Sequence, residues 1–233
     1  MVQTTDKNIA PIDQLNPMWE VITPEERMYL RENTRMRRYR KGDVIYHEGD
    51  IPHYMICIIS GCVKIYCDGL GGRSQIVRFV KKTENFGYCA AFAQVPYTTT
   101  AAAIEATEAY LVPVSVMKQI VQANNKLAIH FVRTLAKELC LDDTRIVSLT
   151  QKHIRGRLAE SIIVLRNNYG YDGNSRTLNC RLSREDLANY SNMTTANAIR
   201  TLSSFANEGI ISLKGRYITI NDEEALQKIS KMG

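Results

Sequence analysis

The sequence predicts an α+β chain in three parts: an N-terminal β-sandwich or barrel, a long helix, and a C-terminal helical pair followed by two short strands. Three observations predict it. Between Tyr39 and Leu111, short runs rich in β-branched and aromatic residues ("DVIYHEG", "YMICIISG", "CVKIYC", "SQIVRFV") alternate with turn signals such as "EGD", "SG" and "DGLGG". From Asn124 or Asn125 to about Leu149, apolar residues recur at helical spacing. Near the end, "LSREDLANYSNMTTANAIRTLSSF" (182–205) holds two capped helical patterns on either side of a break, and "GIISLKGRYITI" follows as two strands around Lys214-Gly215-Arg216.

Bulk properties bound the function. A chain of 233 residues with 45% hydrophobic content suits two modest domains better than one large one. No apolar run approaches the roughly 18 residues of a membrane span, and the opening "MVQTTDKNIAPIDQ" lacks a basic-then-apolar signal pattern. A cytoplasmic protein is expected. The six cysteines, Cys57, Cys62, Cys67, Cys89, Cys140 and Cys180, form no C-x-x-C pair and no zinc spacing. Most lie in apolar segments and read as buried, reduced thiols. The net charge is +6, and the stretch from Gln151 onward, with 12 basic and 8 acidic residues, holds +4 of it. A polyanionic partner for that end is the natural inference.

The elements follow in order. Thr23 to Met36 reads as a helix, with Thr23 as cap, Pro24 in the first turn and Glu26 completing a capping box. The basic cluster "RMRRYRK" (Arg35–Lys41) reads as a solvated barrel surface, and "DGLGG" as a hairpin tip. After Pro113, "VSVMKQIVQ" is a short helix. Along the long helix, Ala128, Val132, Leu135, Leu139, Asp142, Ile146 and Leu149 step by alternating fours and threes. That spacing is a coiled-coil seam of about three heptads, with Asp142 as a register-setting intruder. It favours a two-fold dimer; burial against the chain's own barrel is the competing reading. "RGRLAESIIVLRNNYG" then places Leu158, Ile162 and Leu165 on one helix face, before the turn-rich "YGYDGNSRT".

In the helical pair, Ser183 caps the first helix with Asp186 three residues on, and Thr194 caps the second. Ala198, Leu202 and Phe205 form its packing face. The opposite face carries Thr195, Ala196, Asn197 and Arg200. Small residues let such a helix enter a major groove about 12 Å wide, where an arginine fork reaches guanine O6 and N7. Asn197 suits an adenine or a phosphate. Lys214 and Arg216 make the strand pair a basic wing. An ordinary helical hairpin with a solvated polar face is the alternative.

Taken in linear order, four stretches resemble the Crp–Fnr (catabolite activator-like) family of bacterial transcription regulators over about Pro24 to Ile220. They are "TPEERMYLRENTRMRRYRKGDVIYHEGD", "YMICIISGCVKIY", "RGRLAESIIVL" and "LSREDLANYSNMTTANAIRTLSSFANEGII". The resemblance implies a double-stranded β-helix (jelly roll, cyclic-nucleotide-binding-like) over residues 1–112, a linker and dimerisation helix over 113–150, and a winged helix-turn-helix over 151–233. It implies a homodimer on pseudo-palindromic promoter DNA, in contact with RNA polymerase. Arg200 falls on the family's guanine-reading arginine and Arg184 on a backbone-contacting one. Ala196 stands where a base-reading glutamate is usual, and Thr195 where arginine is frequent, so a different half-site is expected.

The effector reads less clearly. Family members that bind cyclic AMP carry a Gly-Glu pair and then an Arg-Ser pair around the phosphate. Here Tyr88 takes the glutamate's place, Thr99 and Thr100 fall near the Arg-Ser positions, and Asp142 and Asp143 take the helix positions that face the base. With carboxylates and no cation there, cyclic AMP is not expected to bind in the usual way. No cysteine precedes Cys57, so the N-terminal iron–sulfur cluster of the oxygen-sensing members is not expected either. His47, His53, His130 and His153 are candidate haem ligands in principle. The alternative function is a small-molecule or haem/redox sensor whose DNA binding is secondary. A cupin-type enzyme needs an H-x-H pair, which is missing, and no Gly-rich phosphate loop or Ser–His–Asp set occurs.

Overall fold

The computed structural model describes residues 17–69, 71–173 and 175–233; for Pro17 and Trp19 only the backbone is described. The opening stretch read for a signal pattern, and Leu70 of the "DGLGG" tip, lie outside the described residues. The chain forms two compact units: residues up to Cys67 together with Val77–Leu139, and Asp68–Ile76 together with Cys140–Gly233.

A 3-10 turn, Pro17–Val21, leads into α1 (Pro24–Asn33). Thr23 caps α1 as expected: its side chain accepts from the Glu26 amide and the Glu26 carboxylate accepts from the Thr23 amide. The helix stops three residues short of Met36, because Thr34 is extended and Met36 pairs with Tyr110 in a sheet. The strands are β1 (Arg35–Tyr39), β2 (Val44–Tyr46), β3 (Tyr54–Ser60), β4 (Cys62–Asp68), β5 (Ser74–Lys81) and β6 (Asn85–Phe86). A short helix α2 (Tyr88–Ala93) then precedes β7 (Thr100–Ala103) and β8 (Thr107–Pro113). They form two four-stranded sheets, β1-β8-β3-β6 and β2-β7-β4-β5.

Why β3 reads as a continuous apolar run is now physical. Its alternate residues serve two cores. Ile56 and Ile58 point between the sheets, with Val63, Ile65, Phe86 and Ala101, while Met55 and Cys57 point outward beneath Leu30, Met117 and Leu127. A strand covered on both faces needs apolar residues at every position. The tight turn from β3 to β4, which carries the chain from one sheet to the other, requires Gly61: its φ is +88°, and a Cβ there would sit 2.5 Å from the Ala106 carbonyl oxygen. The basic cluster lies on β1, where Arg35, Arg37 and Arg38 are exposed and Arg38 pairs with Glu108 at 2.8 Å.

α3 (Val114–Ala123) is followed by α4 (Asn125–Gln151). Asn124 resolves the capping alternative, since its side chain accepts from the Leu127 amide at 3.0 Å. The two units divide within α4, after Leu139.

In the second unit, α5 (Ile154–Tyr169) buries Leu158, Ile162 and Leu165. α6 (Arg184–Tyr190) and α7 (Thr195–Asn207) form the helical pair, and β9 (Ile211–Lys214) and β10 (Tyr217–Ile220) form an antiparallel hairpin. A last helix, α8 (Glu223–Met232), packs on α5. The sequence reading missed α8, although Asp222 caps it and Glu223 and Glu224 fill its first turn. Of the cysteines, only Cys57 and Cys62 are buried; Cys89 and Cys140 are exposed. The expectation of mostly buried thiols fails because Cys140 sits on the outer surface of α4 and Cys89 at the rim of α2.

Candidate nucleic-acid interface

The helical pair is held by its caps and its core. The Ser183 side chain accepts from the Asp186 amide, and the Thr194 side chain from the Asn197 amide. Ser191 and Asn192 make the turn between the helices. Asn192 has φ +51°, a left-handed conformation that asparagine tolerates, and the Ser191 hydroxyl donates to the buried Ser161 hydroxyl at 2.9 Å. Arg145 braces the end of α6. It donates to the Tyr190 carbonyl at 2.8 Å while its guanidinium lies 3.9 Å over the Tyr190 ring. Arg73 donates to the Asn192 side chain at 2.9 Å, so the turn is fixed from two directions.

α7 buries Ala198, Leu202 and Phe205 and turns the other side outward. Thr195, Ala196, Ile199, Arg200 and Ser203 are exposed, and Asn197 is half-buried. Arg200 donates to Asn197 Oδ1 at 2.6 Å, so the amide orients the guanidinium before any ligand arrives. Ile199, 47% exposed, is a residue the sequence reading passed over. Its position four after Thr195 placed it on this face.

The far end of α7 is clamped. Arg155 on α5 donates to Glu208 through two parallel bonds of 2.8 and 2.7 Å and lies 4.8 Å over the Phe205 ring. The Arg155 and Ser204 hydrogen bonds hold the Glu208 carboxyl down at about 2, from the usual 4.5. A depressed carboxylate adds stability that is present above pH 4.5 and is lost as pH falls towards 2. The denaturation midpoints of wild type and Glu208→Gln should therefore differ near neutral pH and converge as the pH approaches 2. The difference should be modest, because Glu208 is open to solvent.

The wing is a two-residue hairpin in which Lys214 faces Tyr217. Gly215 at φ +61° occupies the first central position, where glycine is favoured. Lys214 and Arg216 are exposed. Arg184, at the start of α6, donates to the Gly215 carbonyl at 2.7 Å and so ties the wing tip to the helical pair. In this structure it is half-buried, with that main-chain partner. Arg181 lies 4.7 Å over the Tyr217 ring and stiffens the same hairpin. Within this unit, Arg184, Thr194, Thr195, Ala196, Asn197, Arg200, Lys214 and Arg216 all fall on the helical pair and its wing.

Two family descriptions match the chain: "Cyclic nucleotide-binding domain" over residues 36–124 and "Crp-like helix-turn-helix domain" over residues 156–229. The chain belongs to the Crp–Fnr family. It is a Crp–Fnr-type DNA-binding transcription regulator, and its relatives are regulators, not enzymes. Electron transport regulator A of Shewanella oneidensis is 28% identical over 84% of this chain and 78% of its own length. The fumarate and nitrate reduction regulatory protein of Escherichia coli is 26% identical over 84% and 78%. Among solved structures, FixK2 of Bradyrhizobium japonicum superposes with a TM-score of 0.77 at 23% identity, covering 84% of this chain and 96% of that one. A CRP-family regulator of Thermus thermophilus gives 0.71 at 19%, covering 84% and 96%. At these identities the structures show the fold alone. No helix among the described residues is long and apolar enough to cross a membrane.

The positions read as an effector pocket fare differently. Tyr88 is buried and its hydroxyl donates to Glu138 at 3.2 Å. Thr100 is buried, accepting from the Glu48 amide at 3.1 Å, and Thr99 is half-buried beside Tyr46. The carboxylate of α4 that meets Tyr88 is Glu138; Asp142 and Asp143 are exposed. Thr99 and Thr100 carry no charge, and the cation beside Tyr88 is Arg78 of β5, which donates to the same Glu138 oxygen at 2.7 Å. A cavity of about 380 Å³ lies elsewhere in the barrel, lined by Arg37, Tyr39, Tyr46, His53, Tyr54 and Tyr97 among others. Among the described residues, no group of three His, Cys, Asp or Glu side chains is placed to hold a metal. His47, His53 and His153 are exposed and His130 half-buried.

The α4 seam is corrected in its details. Val132, Leu139 and Ile146 are exposed by 60%, 63% and 60%, as a seam requires. Leu135 instead packs on the barrel core and Leu149 is half-buried. Ile129 and Ala136 are exposed in their stead, so the outward stripe runs Ile129, Val132, Ala136, Leu139, Asp143, Ile146. Asp142 flanks it. Threes and fours can be threaded through a helix in more than one way, so spacing alone does not separate the exposed stripe from its neighbouring positions.

Proposed function

We propose that this regulator works as a homodimer on pseudo-palindromic promoter DNA, each chain laying α7, around residues 194–206, into a major groove. The observation that carries the reading is the outward face of α7: Thr195, Ala196 and Ile199 flank one guanidinium that Asn197 already orients. Arg200 is the reader of a guanine, Asn197 its positioning partner, and Ile199 and Ala196 suit a thymine methyl. Thr194 and Thr195 lie at the helix N-terminus, where backbone amides and hydroxyls meet phosphate. Lys214 and Arg216 lie where a wing meets the sugar–phosphate backbone, and Arg184 holds that wing while keeping its charge near it. The stripe on α4, with four large or medium apolar side chains open to solvent, supports the dimer. The domain reading of 1–112, 113–150 and 151–233 assigns sensor, dimer helix and DNA reader accordingly.

Control by cyclic AMP in the usual way is not part of the proposal. The cation nearest Tyr88 is already matched by Glu138, and Thr99 and Thr100 offer no charge. Contact with RNA polymerase, in the cytoplasm, completes the reading.

The test is DNA binding measured over a salt series. Specific binding with log Kd rising steeply against log salt is expected, and sequence-independent binding alone would sink the reading. In the same series, Lys214→Ala should weaken all sequences alike and reduce the magnitude of the salt slope by about 2, about 1 for each chain of the dimer.

A further inference from the structure

We propose that Glu138 anchors α4 to the barrel through its contacts with side chains of β5 and α2. Three donors converge on its carboxylate. Arg78 on β5 donates to Oε1 at 2.7 Å, the Tyr88 hydroxyl donates to the same oxygen at 3.2 Å, and the Cys89 thiol lies 3.8 Å from Oε2. Burial and the neighbouring carboxylate both push the Tyr88 phenol and the Cys89 thiol up, so each stays a proton donor. Arg78 and Glu138 are each about one-third exposed or less, at 32% and 28%.

The position along α4 gives the contact its consequence. Leu127 and Phe131 are buried on the barrel side, and the Phe131 ring meets Tyr88 at 5.3 Å and Phe92 at 5.2 Å. Glu138 continues that side two turns later, at the usual spacing of an inward helix face. Leu139, one residue on, then points about 100° away, into the exposed stripe. Glu138 thus fixes the rotation of α4 at the point where the stripe must face a partner. Remove the carboxylate and a half-buried guanidinium is left unmatched, which favours detachment of the helix over burial of a lone charge. Glu138 is a positioning residue in this scheme, and an added small carboxylate should be able to replace it.

The consequence for dimerisation rests on the function proposed above; the anchor itself does not. The experiment therefore reads both. Hydrogen exchange over residues 125–139 and the dimer dissociation constant are measured for wild type, Glu138→Ala and Glu138→Gln, with sodium formate or sodium chloride at equal ionic strength. Glu138→Ala should exchange faster and dimerise about tenfold more weakly. Formate should slow that exchange in Glu138→Ala and leave wild type unchanged. Glu138→Gln, which keeps the shape and an acceptor, should fall between. Unchanged exchange, or exchange that formate leaves as fast as chloride does, overturns the anchor. Should Glu138→Ala not fold, Glu138→Gln decides: wild-type exchange overturns the proposal and faster exchange supports it. A wild type that is monomeric at every concentration defeats the dimer reading, and exchange alone then judges the anchor.

Discussion

Leu139→Glu is expected to leave each chain folded and to weaken dimer formation by about 100-fold or more. Leu139 is 63% exposed in the single chain and near the middle of the outward stripe on α4. A two-fold contact buries it twice. Withdrawing two leucines is worth about 3–5 kcal/mol in transfer terms, and two glutamates facing each other add repulsion and desolvation. Folding of the chain should be indifferent, because the side chain supports neither core cluster. Leu141 is the control. It is equally open, at 60%, but two residues on and so about 200° around the helix. Leu141→Glu should dimerise as wild type does. Sedimentation of the three proteins measures this directly. If Leu139→Glu and wild type share one dissociation constant, the stripe is not the interface.

Arg200→Ala carries the second large effect. Arginine bidentate to guanine contributes about 1–3 kcal/mol of discrimination per half-site. A dimer reads two half-sites, so the loss on a palindrome should be about twice that on a site with one half scrambled. Affinity for random duplex should fall only slightly, by what one charge per chain contributes. The preference at a single base pair of each half-site should flatten while the others persist. Asn197→Ala should show a weaker version of the same pattern, because it removes the amide that aims the guanidinium and leaves the fork intact. Full retention of specificity in Arg200→Ala would assign the reading to another side chain, of which the exposed Ile199 is the nearest.

Much of this molecule is legible in its sequence because local chemistry and tertiary structure agree. Thr23, Ser183 and Thr194 cap helices, and the helices begin there. Gly61 and Gly215 fall where positive φ is needed, and the chain turns between strands there. The winged helical pair is legible because its packing face and its polar face repeat with different residue types. What the sequence hid is of another kind. Met36 joins β1 because Tyr110, far along the chain, pairs with it, and no helix propensity can report that. Glu138 and Arg78 lie 60 residues apart and each reads as an ordinary surface charge. Only the fold brings them together beside Tyr88, where each matches the charge of the other. The exposed stripe of α4 is hard to read for a related reason: Leu135 and Ile129 are equally apolar, and which one faces the barrel depends on Leu127 and Phe131 packing there. α8 was within reach, since Asp222 followed by two glutamates is a helix start.

These features converge on one geometric requirement, two copies of α7 presented to successive major grooves about 34 Å apart. Selection of binding sites from a random duplex library tests it most directly. The account predicts enrichment of an inverted repeat whose half-sites are centred about one helical turn apart, each with a guanine that Arg200→Ala ceases to select. Enrichment of a single unrepeated half-site, or of no sequence at all, would contradict it.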